Sequence, residues 1–298
     1  MLKVKEHNQF PREIGYFGQE LNTSTYNLAR MNMLLHDVPV ANQHLRNGDT
    51  LDEDWPTDEP TNFDAVMMNP PYSAKWSRAD GFMEDPRFSP YGALAPKSRA
   101  DMSFLLHGFY HLKETGVMTI VLPHGVLFRG GAEAKIRQKL LEDGSIDAVI
   151  GLPADLFYNT GIPTTILVLK KNKANRDVLF IDASQEFERK NTQNYLTEEI
   201  ITKIVDTYLK REDVEKYAHL ADFEEIKEND FNLNIPRYVD TFEEPEPIDI
   251  QALSDEMVQL NQEIAQAEKD FLEMVEQLQV TDESKDIIEA TKRMFNHD

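Results

Sequence analysis

Short apolar segments alternate with longer amphipathic ones through the first ~180 residues of the chain. The pattern predicts strands at 14–20, 39–45, 63–68, 116–122, 146–151 and 163–170, and helices at 23–36, 101–114 and 132–143. Residues 63–68 are apolar almost without interruption, which is typical of a central strand covered on both faces. Strands that alternate with helices in this way predict an α/β domain built on a parallel sheet.

The apolar pattern changes beyond this region. Residues 162–169 and 178–181 could close the sheet with an antiparallel edge, and a more polar helix is predicted at 197–209. Residues 240–247 combine proline with acidic side chains, which indicates a linker. We therefore expect four regions: a sheet domain at 1–183, a helical extension at 184–239, an acidic linker at 240–249 and a long helix at 250–298.

An apolar repeat runs along the predicted helix at 250–298. Its members are Leu253, Met257, Leu260, Ile264, Ala267, Phe271, Met274 and Leu278, with spacings that alternate between four and three residues. A helix that packs on its own domain would carry a similar stripe. The regular heptad spacing favours instead a coiled coil with a helix of a partner.

Composition narrows the class of protein. The chain contains no cysteine, which excludes a disulfide scaffold and a thiolate metal site. The sequence has no apolar run of membrane-spanning length and no secretory signal. We therefore expect a soluble protein of the cytoplasm that does not contact a membrane.

The net charge of −22 argues against strong binding of nucleic acid by this chain alone, because phosphate contacts need lysine and arginine. The acidic excess is concentrated in residues 222–298, which contain 22 acidic and 6 basic side chains. The remainder of the chain is still not basic. If the protein acts on nucleic acid, another subunit must supply most of the affinity.

The tetrapeptide Asn-Pro-Pro-Tyr directly follows the predicted strand at 63–68, at the carboxyl end where open α/β sheets place their ligands. Its residues are Asn69, Pro70, Pro71 and Tyr72. The Asn69 side chain and the Pro70 carbonyl each offer a hydrogen-bond acceptor, and the two prolines restrict the backbone around them. The alternative interpretation is a Pro-Pro turn that merely ends a strand.

Two rigid acceptors suit the transfer of a methyl group to an aromatic amine. The lone pair of adenine N6 is delocalised into the ring, so the amine becomes nucleophilic only when acceptors draw its hydrogens toward a tetrahedral geometry. An adenine inside a duplex must also be flipped out, and Tyr72 offers a face on which it can stack. The tetrapeptide therefore predicts an adenine-N6 methyltransferase.

These residues resemble the modification subunit of type I restriction–modification systems, and the similarity extends over nearly the whole chain. The similar segments are residues 18–22, 25–32 and 47–51, residues 63–72 with the tetrapeptide, and residues 122–128, 159–165 and 232–238. The resemblance implies a Rossmann-like S-adenosylmethionine-dependent methyltransferase sheet, followed by a helical region and a coiled-coil helix. In this view residues 1–183 are a partial catalytic domain.

The resemblance also implies a cofactor site, with S-adenosylmethionine as methyl donor and no metal. Glu20 with Leu21 corresponds to the position that binds the ribose hydroxyls of the cofactor. Asp49 with Thr50 corresponds to the position that contacts its adenine amine, and Asn69 borders the cofactor as well. By residue type alone, Asp49 in Asn-Gly-Asp is better explained as the acid of an ordinary turn.

The chain departs from the family at one point. The family carries a Gly-x-Gly turn after its first strand, where the backbone wraps closely around the methionine end of the cofactor. None of the 13 glycines of this chain forms Gly-x-Gly. We therefore expect a truncated or fragmentary subunit that lacks the amino-terminal domain and the first cofactor motif of the family.

The segment between Tyr72 and Asp101 is long, polar and aromatic, and it could close over DNA or form an ordinary surface loop. The basic residues assigned to DNA are Lys75, Arg78, Lys97 and Arg99, and Arg87 lies in the same segment. His124 follows a predicted strand and is more simply explained as a structural residue.

Two functions are compatible with these features. The first is a subunit of an adenine-N6 DNA methyltransferase that acts on double-stranded DNA together with a specificity subunit, a restriction subunit and a second copy of itself. The second is a catalytically inert fragment that serves as an assembly module for a specificity subunit. The tetrapeptide supports the first function, whereas the missing glycines and the heptad repeat support the second.

Overall fold

The computed structural model describes residues 14–57, 62–158, 160–242, 249–281 and 284–295. The chain divides into two compact units, Met1–Phe242 and Glu243–Asp298. The strands are β1 (Tyr16–Glu20), β2 (Gln43–Asn47), β3 (Phe63–Met68), β4 (Leu112–Pro123), β5 (Ile146–Gly151), β6 (Thr164–Lys170), β7 (Val178–Asp182), β8 (Glu188–Lys190), β9 (Gln193–Tyr195) and β10 (Ala218–Ala221). The helices are α1 (Thr23–Leu35), α2 (Asp101–Tyr110), α3 (Ala132–Glu142), α4 (Glu198–Lys210), α5 (Phe223–Glu228), α6 (Ile250–Glu276) and α7 (Lys285–Phe295).

Six strands form one mixed sheet in the order β10-β7-β5-β6-β4-β3. The pairs β3–β4 and β5–β7 are parallel, whereas β6 is antiparallel to both of its neighbours. The antiparallel edge expected at 162–169 and 178–181 is therefore wrong in position. The connection at 152–163 lets β6 fold back beside β5 inside the sheet, and β10 forms the antiparallel edge next to β7.

Most predicted elements are present with shifted ends, which confirms the α/β class. The helix expected at 101–114 ends at Tyr110, because the chain enters β4 at Leu112. The strand expected at 39–45 begins only at Gln43, since a single 3-10 turn precedes it.

β1 and β2 form a separate parallel pair, in which Glu20 lies opposite Asn47. Within the described residues, no strand pairs with the second edge of β1 or of β3. The expectation that residues 63–68 are covered on both faces is wrong, because Met67 is 65 % exposed. Val66 and Met68 pack on the core from one face of β3, whereas Ala65 and Met67 on the other face are exposed.

Two apolar cores cover the six-stranded sheet. Alternate residues of β5 contribute to different cores, with Val149 in one core and Ala148 and Ile150 in the other. Since successive side chains of a strand point to opposite faces, the two cores lie on opposite faces of the sheet. Helices α2 and α3 pack into the first core, and α4 packs into the second.

The region 184–239, predicted as a helical extension, contains three strands as well as two helices. Its last part packs against the sheet: the Tyr238 ring stacks on Phe180 of β7 with centroids 3.8 Å apart. Arg137 of α3 donates to the Phe231 carbonyl oxygen at 2.8 Å. The first compact unit therefore extends past the predicted boundary at residue 183, to Phe242.

The second unit contains two helices where one long helix is expected. Helix α6 ends at Glu276, and α7 folds back so that the rings of Phe271 and Phe295 lie 5.1 Å apart. The break has a local cause. Thr281 and Ser284 exchange side-chain-to-amide hydrogen bonds of 2.9 and 3.3 Å, which is the pattern of a capping box that starts a new helix.

The apolar seam formed by the eight heptad residues is exposed along α6 and just beyond it, from Leu253 to Leu278. The exposed fraction is 61 % at Met274 and still 40 % at Phe271, which touches α7. An exposed seam is the state expected of a coiled-coil helix without its partner, and the partner itself stays a prediction. None of the helices in the described ranges is long and apolar enough to cross a bilayer.

Candidate active site

The carboxyl ends of β1 and β2 form two adjoining turns. The Asn47 side-chain amide donates to the carbonyl oxygens of Glu20 and Leu21, at 2.7 and 3.0 Å. The Gly48 amide donates to the Glu20 carbonyl oxygen at 3.1 Å. Because Asp49 follows directly, these bonds bring the two predicted cofactor acids to the same end of the strand pair.

Both predicted cofactor acids keep one carboxylate oxygen available. Glu20 accepts from the Asn22 amide through Oε1 at 2.7 Å. Asp49 accepts from the Leu51 amide through Oδ1 at 2.9 Å, which is the turn that its residue type suggests. No donor in the described part of the chain reaches Glu20 Oε2 or Asp49 Oδ2. The turn interpretation and the cofactor interpretation are therefore compatible.

A cavity of about 610 Å³ adjoins Glu20 between β1 and α1. Its lining includes Phe17, Tyr26 and Met33 but not Asp49, so it does not join the two predicted cofactor acids. Leu21, the neighbour of Glu20, is 67 % exposed and lies outside the cavity.

The acceptor loop, residues 69–72, leaves the carboxyl end of β3. Pro70 is buried and anchors the loop, whereas Asn69 and Pro71 are exposed. The Tyr72 hydroxyl donates to Asn69 Oδ1 at 2.8 Å, and burial raises the pKa of this hydroxyl further above neutrality. No described donor reaches the Pro70 carbonyl oxygen. The loop thus presents one open acceptor and one that its own tyrosine occupies.

The Tyr72 ring faces a second aromatic residue that the sequence did not single out. Phe157 lies edge-on to Tyr72, with ring centroids 6.4 Å apart and an interplanar angle of 79°. The mixed sheet explains this contact. Because β6 runs antiparallel to β5, the connection that carries Phe157 lies at the same edge of the sheet as the end of β3.

Asp101 holds the residue that follows the acceptor loop. Its side chain is fully buried, and Oδ1 accepts from the Ser73 amide at 2.7 Å. Ser73 has a φ of 52°, a left-handed value that needs such support in a residue other than glycine. Arg129 lies 3.4 Å from Asp101 Oδ2 and offsets the buried charge. In the sequence, only the acidic residue at the start of a predicted helix hinted at this role.

Arg87 is buried, although the sequence places it in a basic segment that could close over DNA. Its side chain is 1 % exposed. The guanidinium donates to the carbonyl oxygens of Thr50 and Leu51, at 3.0 and 2.9 Å, and pairs with Asp85 at 2.7 Å. Arg87 therefore reaches back to the half-buried turn that carries Asp49.

Asp54, His107 and His111 place possible metal ligands within 4.8 Å of one another. These atoms already make hydrogen bonds: Arg87 Nη1 lies 3.2 Å from His107 Nδ1, and His111 Nε2 lies 2.9 Å from Asp54. Burial lowers the pKa of His107 to about 3, so its neutral ring accepts from the guanidinium, which can only donate. A metal ion would add a second positive charge beside Arg87. The cluster is therefore an internal hydrogen-bond network.

Several residues that invite a functional role are structural. The aromatic residues of the segment 73–100 pack together, with the Trp76 ring 5.2 Å from Phe82 and 5.8 Å from Phe88. The segment is therefore a folded part of the first unit. His124 Nε2 lies 2.9 Å from the Thr164 carbonyl oxygen, which fits the structural interpretation of this histidine.

The four basic residues assigned to DNA fall into two groups. Lys75 and Lys97 are exposed and Arg78 is partly exposed, and none of the three has an acidic partner among the described side chains. Arg99 pairs with the buried Glu133 at 3.6 Å, which favours a structural role for this residue. DNA binding by the first three stays a prediction.

The fold and the site together define a class of protein. An α/β sheet with an acid at the end of one strand and an Asn-Pro-Pro-Tyr loop at the end of another is the arrangement of the adenine-N6 methyltransferases that the sequence resembles. The chain belongs to the N-6 DNA Methylase family, whose model matches residues 1–247. This match confirms the resemblance.

Known relatives of this chain are methylase subunits. The type I restriction enzyme MpnII methylase subunit of Mycoplasma pneumoniae is 39 % identical over 272 residues, which are 87 % of this chain and 50 % of that protein. The MjaVII methylase subunit of Methanocaldococcus jannaschii is 37 % identical over 276 residues, which are 88 % of this chain and 46 % of that protein. The chain spans about half the length of the curated relatives it matches.

A solved structure is also similar. The crystal structure of the type I restriction-modification system methyltransferase subunit from Streptococcus thermophilus is 68 % identical in sequence, with a TM-score of 0.79. The match covers 80 % of this chain and 51 % of that chain.

The low pKa of His107 makes the stability of the fold depend on pH. The unfolded chain protonates this histidine below about pH 6.5, whereas the folded protein does so only near pH 3. The stabilisation is therefore complete above pH 6.5 and is lost as the pH falls. We expect this residue to lower the free energy of unfolding by roughly 1.4 kcal/mol per pH unit below pH 6. Urea denaturation at pH 7, 6 and 5 measures the slope.

His107→Gln is the matched variant, because glutamine keeps an acceptor for Arg87 and does not titrate. Between pH 6 and 5, the free energy of unfolding of this variant should fall less steeply with pH than that of the wild type. The difference corresponds to the one proton that His107 no longer takes up on unfolding. Equal slopes in the two proteins would contradict the assignment of a neutral, buried His107.

Proposed function

We propose that this chain carries the substrate side of an adenine-N6 DNA methyltransferase and acts as the modification subunit of a type I restriction–modification system. One observation carries the proposal. The Asn69 amide oxygen and the Pro70 carbonyl lie together at the end of β3, beside the rings of Tyr72 and Phe157. Membership of the N-6 DNA Methylase family supports the same activity.

The Tyr72 hydroxyl indicates where the substrate amine would donate. It reaches Asn69 Oδ1 at 2.8 Å, within the range in which an N–H group could replace it. The second amine hydrogen could then reach the Pro70 carbonyl, whose acceptor is open. When both hydrogens are drawn out of the ring plane, the nitrogen lone pair becomes localised and can attack a methyl group.

The aromatic residues beside the loop would hold the base. A flipped adenine loses its neighbours in the duplex, and the Tyr72 ring can replace one of them. Phe157 stands edge-on to that ring and would limit movement of the base to one side. The hydrogen bond from the Ser73 amide to Asp101 fixes the backbone at the end of the acceptor loop before substrate binds. The two acceptors would therefore be preorganised.

We propose S-adenosylmethionine as the methyl donor, which brings a methyl group that its sulfonium already activates. Glu20 with Leu21 would bind its ribose and Asp49 with Thr50 its adenine, through the oxygens that both acids leave open. Asn69 would border the transferred methyl group. No metal is required. The methionine end has no matching turn in this chain, because none of its 13 glycines forms Gly-x-Gly. We infer that polypeptide outside this chain completes the donor side.

The proposed partners follow from charge and exposed surface. Double-stranded DNA would be the substrate, with Lys75, Arg78 and Lys97 as phosphate contacts. The net charge of −22 makes DNA affinity depend on another subunit. We propose that a specificity subunit supplies it and docks on the apolar seam of α6. A restriction subunit and a second copy of this chain would complete the assembly.

A second candidate function is an inert assembly module. The exposed seam of α6 and the missing Gly-x-Gly turn favour it. Both functions predict that the isolated chain does not bind S-adenosylmethionine with micromolar affinity, because the donor side is incomplete. Calorimetric titration of the purified chain measures this. Micromolar binding would eliminate the inert module, and it would also contradict the inference that polypeptide outside this chain is needed to complete the donor side.

Substitutions in the acceptor loop test the chemistry. In the assembled methyltransferase, Asn69→Ala should lower kcat by about 100-fold or more, because one acceptor is removed. Tyr72→Phe keeps the ring and frees Asn69 Oδ1, so we expect methylation within about threefold of the wild type. Tyr72→Ala should weaken capture of the flipped base by about tenfold or more. Initial rates and the fluorescence of a 2-aminopurine target base measure the two effects.

Tyr158→Ala is the matched control for the loss of an aromatic side chain near the loop. Tyr158 neighbours Phe157 but is 92 % exposed, so its removal should leave both rates and fluorescence unchanged. Wild-type methylation by Asn69→Ala would overturn the proposed mechanism.

The apolar seam of α6 should be needed for capture of a specificity subunit. Leu260→Asp and Ile264→Asp place charges in the middle of the seam and should abolish co-purification of the two subunits. Gln262→Asp lies on the opposite side of the same helix and should leave capture unchanged. Capture that survives both seam substitutions and deletion of residues 250–298 would disprove this docking site.

A further inference from the structure

Arg87 connects the turn that carries Asp49 to the segment that follows the acceptor loop. We infer that Arg87 is a positioning residue: its guanidinium holds the cofactor-side turn, residues 49–51, against the segment that follows the acceptor loop. The inference rests on the proposed function, since it assigns to Arg87 the placement of the methyl donor. Because the Arg87 side chain is buried, it would act through this turn and not by contact with substrate or donor.

Every N–H group of the Arg87 guanidinium has an acceptor. Nε and one hydrogen of Nη2 point to Asp85, at 3.0 and 2.7 Å, and the other hydrogen of Nη2 points to the Leu51 carbonyl at 2.9 Å. Nη1 has the Thr50 carbonyl at 3.0 Å and His107 Nδ1 at 3.2 Å. The five N–H donors of the planar guanidinium therefore have five acceptor atoms. A lysine, with three donors on one atom, cannot replace it.

The surroundings compensate the buried charge of Arg87. The carboxylates of Asp85 and Asp54 lie 2.7 and 3.7 Å from the guanidinium. The neutral His107 ring adds an acceptor without adding a positive charge. An uncompensated buried ion of this kind would be strongly destabilising, so these acceptors are needed around the arginine. Without Arg87, the Thr50 and Leu51 carbonyls would lose their donors in a buried place.

The fold needs such a link. The proposed donor residues belong to the β1–β2 pair and the acceptors to the six-stranded sheet, and no described strand pairing joins the two. Methyl transfer requires the reacting atoms to meet in an aligned geometry at roughly 3–3.5 Å. Within the described residues, side chains and not a backbone ladder therefore join the two turns.

Other side chains also bridge the two parts. The rings of Phe17 and Phe63 lie 4.9 Å apart at the starts of β1 and β3, and the Ser77 hydroxyl bonds to Asp52. Neither contact holds the backbone of residues 49–51. Arg87 does, through two carbonyl oxygens that directly follow Asp49, so we assign to it the position of the Asp49 carboxylate.

Hydrogen exchange on the purified chain tests the link without requiring activity. In Arg87→Met, deuterium uptake should rise at least about threefold in peptides that cover residues 47–56, and uptake in β5 should stay unchanged. Arg87→Lys keeps the charge but loses the planar array of five donors, so its deuterium uptake should lie between those of the wild type and of Arg87→Met. The matched control is Arg46→Met, because Arg46 pairs with Glu53 of the same turn from the surface, at 2.7 Å. Its uptake should match that of the wild type.

Kinetics in the assembled methyltransferase test the assigned role. Arg87→Met should raise the KM for S-adenosylmethionine by about tenfold, and kcat at saturating donor should stay within about threefold of the wild type. A merely structural residue would lower the active fraction, and thus kcat, without changing this KM. Arg87→Lys, which is more certain to fold, should show an intermediate KM.

Two results would overturn the inference. One is unchanged exchange at residues 47–56 in a folded Arg87→Met protein. The other is an unchanged KM for the donor in both Arg87 variants. An assembled wild-type complex that does not methylate DNA would instead refute the proposed function, and the exchange measurement would still decide whether Arg87 holds the turn.

Discussion

The buried guanidinium of Arg87 is the interaction on which the arrangement of the site depends. Its donors join the turn after β2 to the segment after β3, and these two strands belong to different sheets. Where a continuous sheet connects two strands, backbone hydrogen bonds fix their spacing to a few tenths of an ångström. Here side chains do so instead. Arg87 is the side chain that bonds to the carbonyl oxygens of Thr50 and Leu51, and burial makes these hydrogen bonds strong because water does not compete for them.

A second buried ion serves the acceptor side in a similar way. Asp101 accepts from the amide that follows the acceptor loop, and Arg129 lies beside it. The two sides of the site are thus held by opposite charges, a cation at the cofactor-side turn and an anion at the acceptor loop. For the proposed acceptor side, this chain offers two hydrogen-bond acceptors and two aromatic rings. On the donor side, the chain offers two acids but no Gly-x-Gly turn.

Several expectations from the sequence fail for one reason, which is that residue type does not reveal which neighbours cover a segment. Residues 63–68 have the composition of a fully covered strand, yet one face of β3 exposes Ala65 and Met67. Arg87 and Arg78 look alike in a polar segment, but only Arg87 meets buried carbonyls and a carboxylate. The heptad repeat correctly predicted a helix. The break before Ser284 depends instead on the hydrogen bonds between Thr281 and Ser284, which an apolar repeat does not show.

Local chemistry, by contrast, was readable from the sequence alone. The sequence predicted the α/β class and the strand before the tetrapeptide, because both depend on the local order of apolar residues. It also predicted the two acceptors at Asn69 and Pro70, because proline restricts the backbone over a few residues. The family was recognised from short motifs of the same kind. Only the tertiary structure decided that Phe157 faces Tyr72, that Asp101 bonds to the residue after the loop, and that Arg87 joins the segment 73–100 to the Asp49 turn. Each of these contacts joins residues that lie 28 to 85 positions apart. Such contacts arise when the strands take their order in the sheet, and a sequence pattern that records only near neighbours does not contain that order.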